Sequence, residues 1–277
     1  MLQTLTLNLK NHVQSPKMFL GFISCAFFLG LIFLLNYVFS EIKSGTAWSM
    51  MYGVFAAMLM LAATFFGIRR RLMNPGWGRS QTWLQCHIYG GGLFLLFVLM
   101  HSGFREPTGM ITWWLWALSI WVTASGILGT ILQKWIPKVL SSGLSIEVIY
   151  ERIPELIAEI RQKAEALIRE CETPLQDFYR QHIAEALAGP NSRIIYFFDI
   201  TGGIQTRARQ FSYLRDLLDD KEKENLDLLE NYYKTKLEMD AHYTLQKALR
   251  WWLFLHAPLS LVLLVLLGFH LYSVFWY

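Results

Sequence analysis

Charge is missing from most of this chain. Only ten of its 25 Lys and Arg and 21 Asp and Glu residues lie outside residues 134–250. Five segments carry none at all: Met18–Phe39, Ala47–Ile68, Trp83–Phe104, Met110–Gln133 and Trp251–Trp276. Each is long enough for a helix to cross the hydrocarbon core, which takes about 20 apolar residues. Cysteine is scarce too: Cys25, Cys86 and Cys171 stand far apart with no CxxC pair. Zinc ribbons, cysteine-held iron–sulfur clusters and covalent c-type haem attachment are therefore unsupported. The expected role of the three is as small buried hydrophobes. No GxGxxG fingerprint, internal repeat or low-complexity tract occurs, so nothing points to a nicotinamide or flavin dinucleotide site. The modest net charge of +4 gives no reason to expect nucleic acid.

What is present is apolar and aromatic. Hydrophobic residues make up 54% of the 277 and aromatics 15%, with a mean hydropathy of +0.31, too high for an ordinary soluble domain. The sequence predicts an all-α membrane protein of five transmembrane helices. Residues 1–133 carry helices 1–4, residues 134–250 form a mainly helical cytoplasmic insert, and residues 251–277 add the fifth helix. The first apolar run is too long for a signal peptide and lacks a small-x-small cleavage site, so it reads as a retained helix. Lys10 and Lys17 precede the first span, and Arg69, Arg70, Arg71 and Arg79 fill the second loop. The other two short loops hold Glu41 with Lys43 and Arg105 with Glu106. The positive-inside rule then places the N-terminus and the insert in the cytoplasm and Tyr277 outside a cell inner (cytoplasmic) membrane, with lipid as the first partner. Trp77, Trp83, Trp135, Trp251, Trp252 and Trp276 near the span ends suit interfacial belts.

In the insert, Ile149, Ile153, Leu156, Ile160 and Leu167 recur at helical spacing. A second run starts at Pro174 and ends near Gly189-Pro190. Ile194–Phe198, dense in β-branched and aromatic residues, predicts a short strand. From about Arg207 a heptad-like pattern (Leu214, Leu218, Leu229, Tyr233, Leu237) leads toward the last span; nothing interrupts it between Lys221 and Trp251, so that helix is expected to enter the membrane directly.

Four of the seven histidines lie in the predicted spans: His87 and His101 on the third, His256 and His270 on the fifth. Both pairs are 14 residues apart. At about 100° per residue such a step falls roughly 40° short of four full turns, so each pair shares a helix face, about 21 Å apart along the axis. Spans three and five run in the same direction. His87 therefore shares a depth with His256, and His101 with His270. Two facing imidazole pairs, one near each surface, are the ligand sets of two b-type haems. A proton relay would be expected to bring Asp or Glu into the membrane, and none is there. A di-metal site would gather its ligands in one place. Gly90-Gly91-Gly92, Gly103 and Gly268 are candidates for giving a porphyrin room, although glycine is also common where membrane helices pack. Arg79 and Arg250 on the inner side and Arg105 on the outer are candidates to pair with haem propionates; snorkelling or topology signals explain them equally well. His12, His182 and His242 sit in polar surroundings and read as solvated.

The paired H-x13-H helices resemble the di-haem membrane cytochromes b, broadly the cytochrome b561 and bacterial ferric-reductase-like transmembrane group. The similarity lies in His87 to Trp114 with its His101-Ser102-Gly103-Phe104-Arg105 segment, in Ser125–Gly129, and in Leu249–Leu259 with Arg250, Trp251, Trp252, His256 and Pro258. It covers about half of the chain. It implies that the four histidines bind two haems b and carry electrons across the membrane. The flavin and nicotinamide domains usual in such reductases have no counterpart here. Electrons would then come from, or go to, a quinone pool, a cytoplasmic donor or other subunits of a redox complex, with a c-type cytochrome as the expected outer partner. The alternatives are a stand-alone quinol-dependent ferric or other reductase, or a non-redox scaffold or transporter.

Overall fold

The structure, a computed structural model, describes residues 16–39, 46–72, 80–143, 149–216 and 218–276. Lys10, His12, Glu41, Lys43, Trp77, Arg79 and Tyr277, all used in the sequence reading, lie outside them. Among the described residues the protein is helical, with no strand. Five helices are long and apolar enough to cross a membrane.

The chain forms two compact units, residues 1–130 with 254–277 and residues 131–253. The first contains α1 (Pro16–Phe39), α2 (Ala47–Leu72), α3 (Ser80–His101), the first part of α4 (Met110–Gly143) and the last part of α9 (Asp220–Trp276). α2 reaches Leu72, so Arg69, Arg70 and Arg71 belong to its last turn rather than to the loop expected there. α2 packs along α3, which also receives α1. The core between them is Phe33, Tyr52, Ala56, Met60, Phe94, Phe97 and Met100, closed by Leu263 of α9. Around it large apolar side chains face outward, Phe27 at 67% and Phe28 at 60% exposure among them. An apolar exterior of this kind, present on α1, α2, α4 and the last part of α9, is what a lipid solvent selects and water does not. Cys25 and Cys86 are also on this exterior; only Cys171 is the buried hydrophobe expected of all three.

α3 ends at His101 for a local reason. Gly103 takes the left-handed conformation (φ 63°). Its N–H donates to the Met100 carbonyl at 3.1 Å and that of Phe104 to Leu99 at 2.8 Å. This pair of bonds is a Schellman motif, whose left-handed position favours glycine. Gly103 is thus a helix cap, and the span expected to run to Phe104 stops three residues earlier.

The second unit is built on α5 (Ile153–Arg169), α6 (Thr173–Phe178), α7 (Ile200–Ala208), α8 (Gln210–Arg215), the end of α4 and the polar first half of α9. On α5 the buried stripe is Ile153, Ile157, Ile160, Ala164 and Ile168, spaced by three and four as an amphipathic helix requires. It packs against Leu226, Leu229, Tyr233 and Leu237 of α9. Of the stripe expected from sequence, Ile153 and Ile160 are in it; Ile149 is exposed, and Leu156 and Leu167 only border the core. A fully buried Ile contributes about 1.5–3 kcal/mol relative to exposure, so this stripe is a substantial part of the unit's stability.

The strand expected at Ile194–Phe198 is absent. Ile194–Phe197 is a single 3₁₀ turn. It has no neighbouring strand to pair with; Tyr196 and Phe197 instead turn inward onto Ile136 and Trp135 of α4 and Ala241 and Leu245 of α9, and the Asp199 carboxylate then caps α7 by accepting the Gly202 N–H. The heptad-like pattern from about Arg207 is divided among α7, α8 and α9, whereas the uninterrupted helix expected between Lys221 and Trp251 is present: α9 runs for 57 residues from Asp220 to Trp276.

Candidate functional site

All four span histidines are in the first unit, each half-buried at the face of its helix. The structure brings them together two by two. His101 and His270 present their rings to one another with centres 6.3 Å apart and planes 74° from parallel. His256 lies within electrostatic reach of His87. No group of three or more His, Cys, Asp or Glu gathers among the described residues.

Each pair has a residue whose imidazole orientation is settled by its neighbours. The Nδ1 of His101 is 2.7 Å from the main-chain carbonyl of Ser49. A carbonyl only accepts, so Nδ1 carries the proton and Nε2 keeps its lone pair. The Ser49 hydroxyl in turn donates to the His101 carbonyl at 2.9 Å, one of the last, unpaired carbonyls of α3. At the other depth, Ser125 Oγ donates to the Val122 carbonyl at 2.9 Å. Its single proton being used there, it accepts from His256 Nδ1, 2.7 Å away. His256 Nε2 is thereby also left as a lone pair. A neutral imidazole fixed through Nδ1 and open at Nε2 is the arrangement in which histidine serves as a metal ligand. His87, opposite His256, lies against the backbone of Ala63 on α2.

Glycines shape these positions, but not the ones the sequence singled out. A Cβ on Gly53 of α2 would stand 2.8 Å from His101 Nδ1 and 2.9 Å from Cε1. Gly53 is therefore the seat of the His101 ring, and no motif marked it: only the pairing of α2 with α3 brings the two together. Gly126 of α4 meets His256 Cε1 at an ordinary 3.6 Å. Gly92 instead accommodates the Phe22 ring of α1, while Gly90, Gly91 and Gly268 face open space.

Beside His101 and His270 is a cavity of about 540 Å³, lined by Gly53, Phe94, Arg105, Trp116 and Leu263 among others. Its size falls within the range of about 300–1,000 Å³ usual for small-molecule and cofactor sites. Of the three arginines proposed from sequence, Arg105 is on this cavity. Arg79 is outside the described residues. Arg250 belongs to the second unit, where it pairs with Glu151 and lies 4.1 Å over the Tyr150 ring. The indole Nε1 of Trp116, on the cavity wall, is buried with no hydrogen-bond acceptor among the described residues.

The remaining described histidines divide. His182 is exposed and leans on Phe178. His242, expected to be solvated, is buried at 3% exposure beside Gln246. No family model matches the chain, and neither does any curated protein or solved structure.

Proposed function

We propose that this protein is an electron-transfer subunit of a membrane redox complex, carrying electrons across a cytoplasmic membrane through two bis-histidine b-type haems. His101 with His270 would hold one, and His87 with His256 the other. The observation that carries the reading is the spacing of the outer pair. Two collinear metal–nitrogen bonds of about 2.0 Å each, with the imidazoles on opposite sides of the metal, separate the ring centres by roughly 6 Å. His101 and His270 stand at 6.3 Å, and the tautomer of His101 leaves Nε2 free for the bond.

The rest of the site suits the same group. The cavity beside the rings is lined by apolar side chains such as Phe94 and Leu263 together with Arg105, Glu106 and Trp116. A porphyrin is apolar over its faces and anionic at its propionates, so Arg105 and the Trp116 N–H would take the acidic edge. When bound, haem b supplies a one-electron couple whose potential follows its axial ligands and their hydrogen bonds. Ser49 and Ser125 would hold those ligands in orientation, and the packed core of the first unit would keep water away. The expected similarity to cytochrome b561 and ferric-reductase-like proteins enters on the same footing, as part of this proposal. So do a quinone pool or cytoplasmic donor on the inner side and a c-type cytochrome on the outer. The N-terminus and residues 134–250 would then be cytoplasmic and the C-terminus outside.

The test is the pyridine haemochrome spectrum of the purified full-length chain. Two haems b per chain are expected, with low-spin bis-imidazole spectra; a colourless, folded preparation overturns the proposal.

A further inference from the structure

The second unit exposes a run of large apolar side chains in one turn that its own core leaves uncovered. In the turn Ile194–Phe198, Tyr196 and Phe197 point inward, whereas Ile194 is 77% and Phe198 83% exposed, with Ile195 at 48% between them. Adjacent large hydrophobes at such exposure mark an interaction site rather than ordinary surface.

What covers them follows from where the turn is anchored. Phe197 stacks on Trp135 at 6.2 Å with the ring planes 10° from parallel. Trp135 stands on α4 just past Lys134, the first charged residue after that helix's long apolar run. The cluster holding Phe197 and Trp135 also contains Leu249 of α9, two residues before the apolar half of that helix begins at Trp251. The turn is therefore fastened, within one unit, to the two stretches where long apolar helix gives way to charged sequence. Ile131 on α4 and Trp251 and Leu253 on α9, in that same unit, are already outward-facing at 56%, 57% and 46% exposure. They belong to the lipid-facing surface of the spans. Lys134 and Lys138, exposed on the same stretch of α4, have stems long enough to reach headgroup phosphates.

We propose that the Ile194–Phe198 turn is a membrane-interface anchor, dipping Ile194 and Phe198 into the headgroup–acyl boundary beside the cytoplasmic ends of α4 and α9. The occupant is lipid, because the patch continues a surface that lipid already covers. Apolar side chains inserted at this boundary, with basic residues behind them, are the composition that holds interfacial segments in place. Such an anchor would fix how the second unit stands on the membrane. The inference does not depend on haem binding.

The experiment uses the full chain with its three cysteines replaced (Cys25→Ser, Cys86→Ser, Cys171→Ala). Phe198→Cys is labelled with an environment-sensitive fluorophore after reconstitution into vesicles of phosphatidylcholine and phosphatidylglycerol. Ile194→Cys is the second probe, should the first variant not fold. Tyr213→Cys, at an 80% exposed position on α8, is the reference. Several-fold stronger quenching by headgroup-proximal nitroxide lipid at 198 or 194 than at 213, with protection from aqueous iodide, is the expected result. Quenching by iodide like that at 213 overturns the proposal. Shielding from both quenchers, the signature of a second copy or another protein over the turn, overturns it equally.

Discussion

His101 and His270 are 169 positions apart in the chain, yet their imidazoles face each other at 6.3 Å. The Nδ1 of His101 is tied to the Ser49 carbonyl at 2.7 Å. One ring of the pair is thus oriented from α2 and the other is delivered by α9. If the pair holds one metal centre, His101→Ala and His270→Ala remove the same haem. Each variant should lose one of two components in a redox titration and about half of the haemochrome absorbance, and the double variant should lose no more than either single. His87→Ala or His256→Ala should remove the other component. Loss of different components from His101→Ala and His270→Ala would sink the pairing.

Gly53→Ala tests the seat of the His101 ring. The added methyl would approach Nδ1 to 2.8 Å, and the ring cannot retreat without giving up its bond to Ser49. Forced overpacking of this kind costs about 1–3 kcal/mol. If the His101–His270 pair holds a haem, the expected result is a shifted or high-spin signal for that haem with the other unchanged. Gly126→Ala, where the contact with His256 is an ordinary 3.6 Å, should leave both spectra as they are.

Serines 49 and 125 hold their histidines by different groups, and the difference is measurable. Ser125→Ala deletes the acceptor of the His256 Nδ1 proton, so the ligand loses both its fixed tautomer and its hydrogen bond. Removal of such an outer partner typically weakens metal affinity about 10–100-fold, and haem retention by the inner pair during dilution should fall accordingly. Ser49→Ala keeps the main-chain carbonyl that orients His101, and its effect on the outer pair should be smaller. Equal losses in the two variants would show that the hydroxyls, not the Nδ1 partners, matter.

These contrasts also separate what one chain of letters carries from what it does not. The five spans and the four histidines are visible because a bilayer demands long apolar runs and because a 14-residue interval is a near-integral number of helical turns. Gly53 is invisible because its importance comes from a residue 48 positions away on another helix. Gly103 has a role that its place beside a histidine does not announce: its N–H and that of Phe104 go to the Met100 and Leu99 carbonyls, making it a cap, while it also lines the cavity at His101. Ile194–Phe198 looks like a strand by residue type; with α4 and α9 on one side and no edge to pair with, it turns Tyr196 and Phe197 inward instead. The buried pair Lys236–Asp240 shows least of all, since an i,i+4 Lys–Asp on a charged helix ordinarily faces water.

That pair yields a prediction of opposite pH trends. Lys236 and Asp240 are both fully buried, in the polar half of α9, with Nζ to Oδ2 at 2.6 Å. Asp240 Oδ1 also accepts the Asn191 N–H at 2.8 Å, and the Arg193 charge faces both groups. Burial pushes the Asp240 carboxyl up from its usual range, against the pull of Lys236, and pushes the Lys236 ammonium down, against the pull of Asp240. Removing one partner from a buried pair costs about 3–5 kcal/mol, while replacing both with apolar residues of similar volume is close to neutral. Lys236→Met leaves a carboxyl whose folded-state value is raised. Its folded form then holds a proton that the unfolded chain has lost, so stability is retained below the ordinary carboxyl range and falls as pH rises toward the raised value. Asp240→Leu leaves a lowered amine, so stability is retained above the ordinary lysine range and falls as pH drops toward the lowered value. Thermal unfolding of the full chain, followed by Trp fluorescence across pH 5 to 9, should show Lys236→Met recovering toward acid and Asp240→Leu recovering toward alkali. The double variant should be flatter than either. Parallel trends in the two single variants would mean that the partner left behind is rescued by water or by Arg193 rather than buried as an unpaired group.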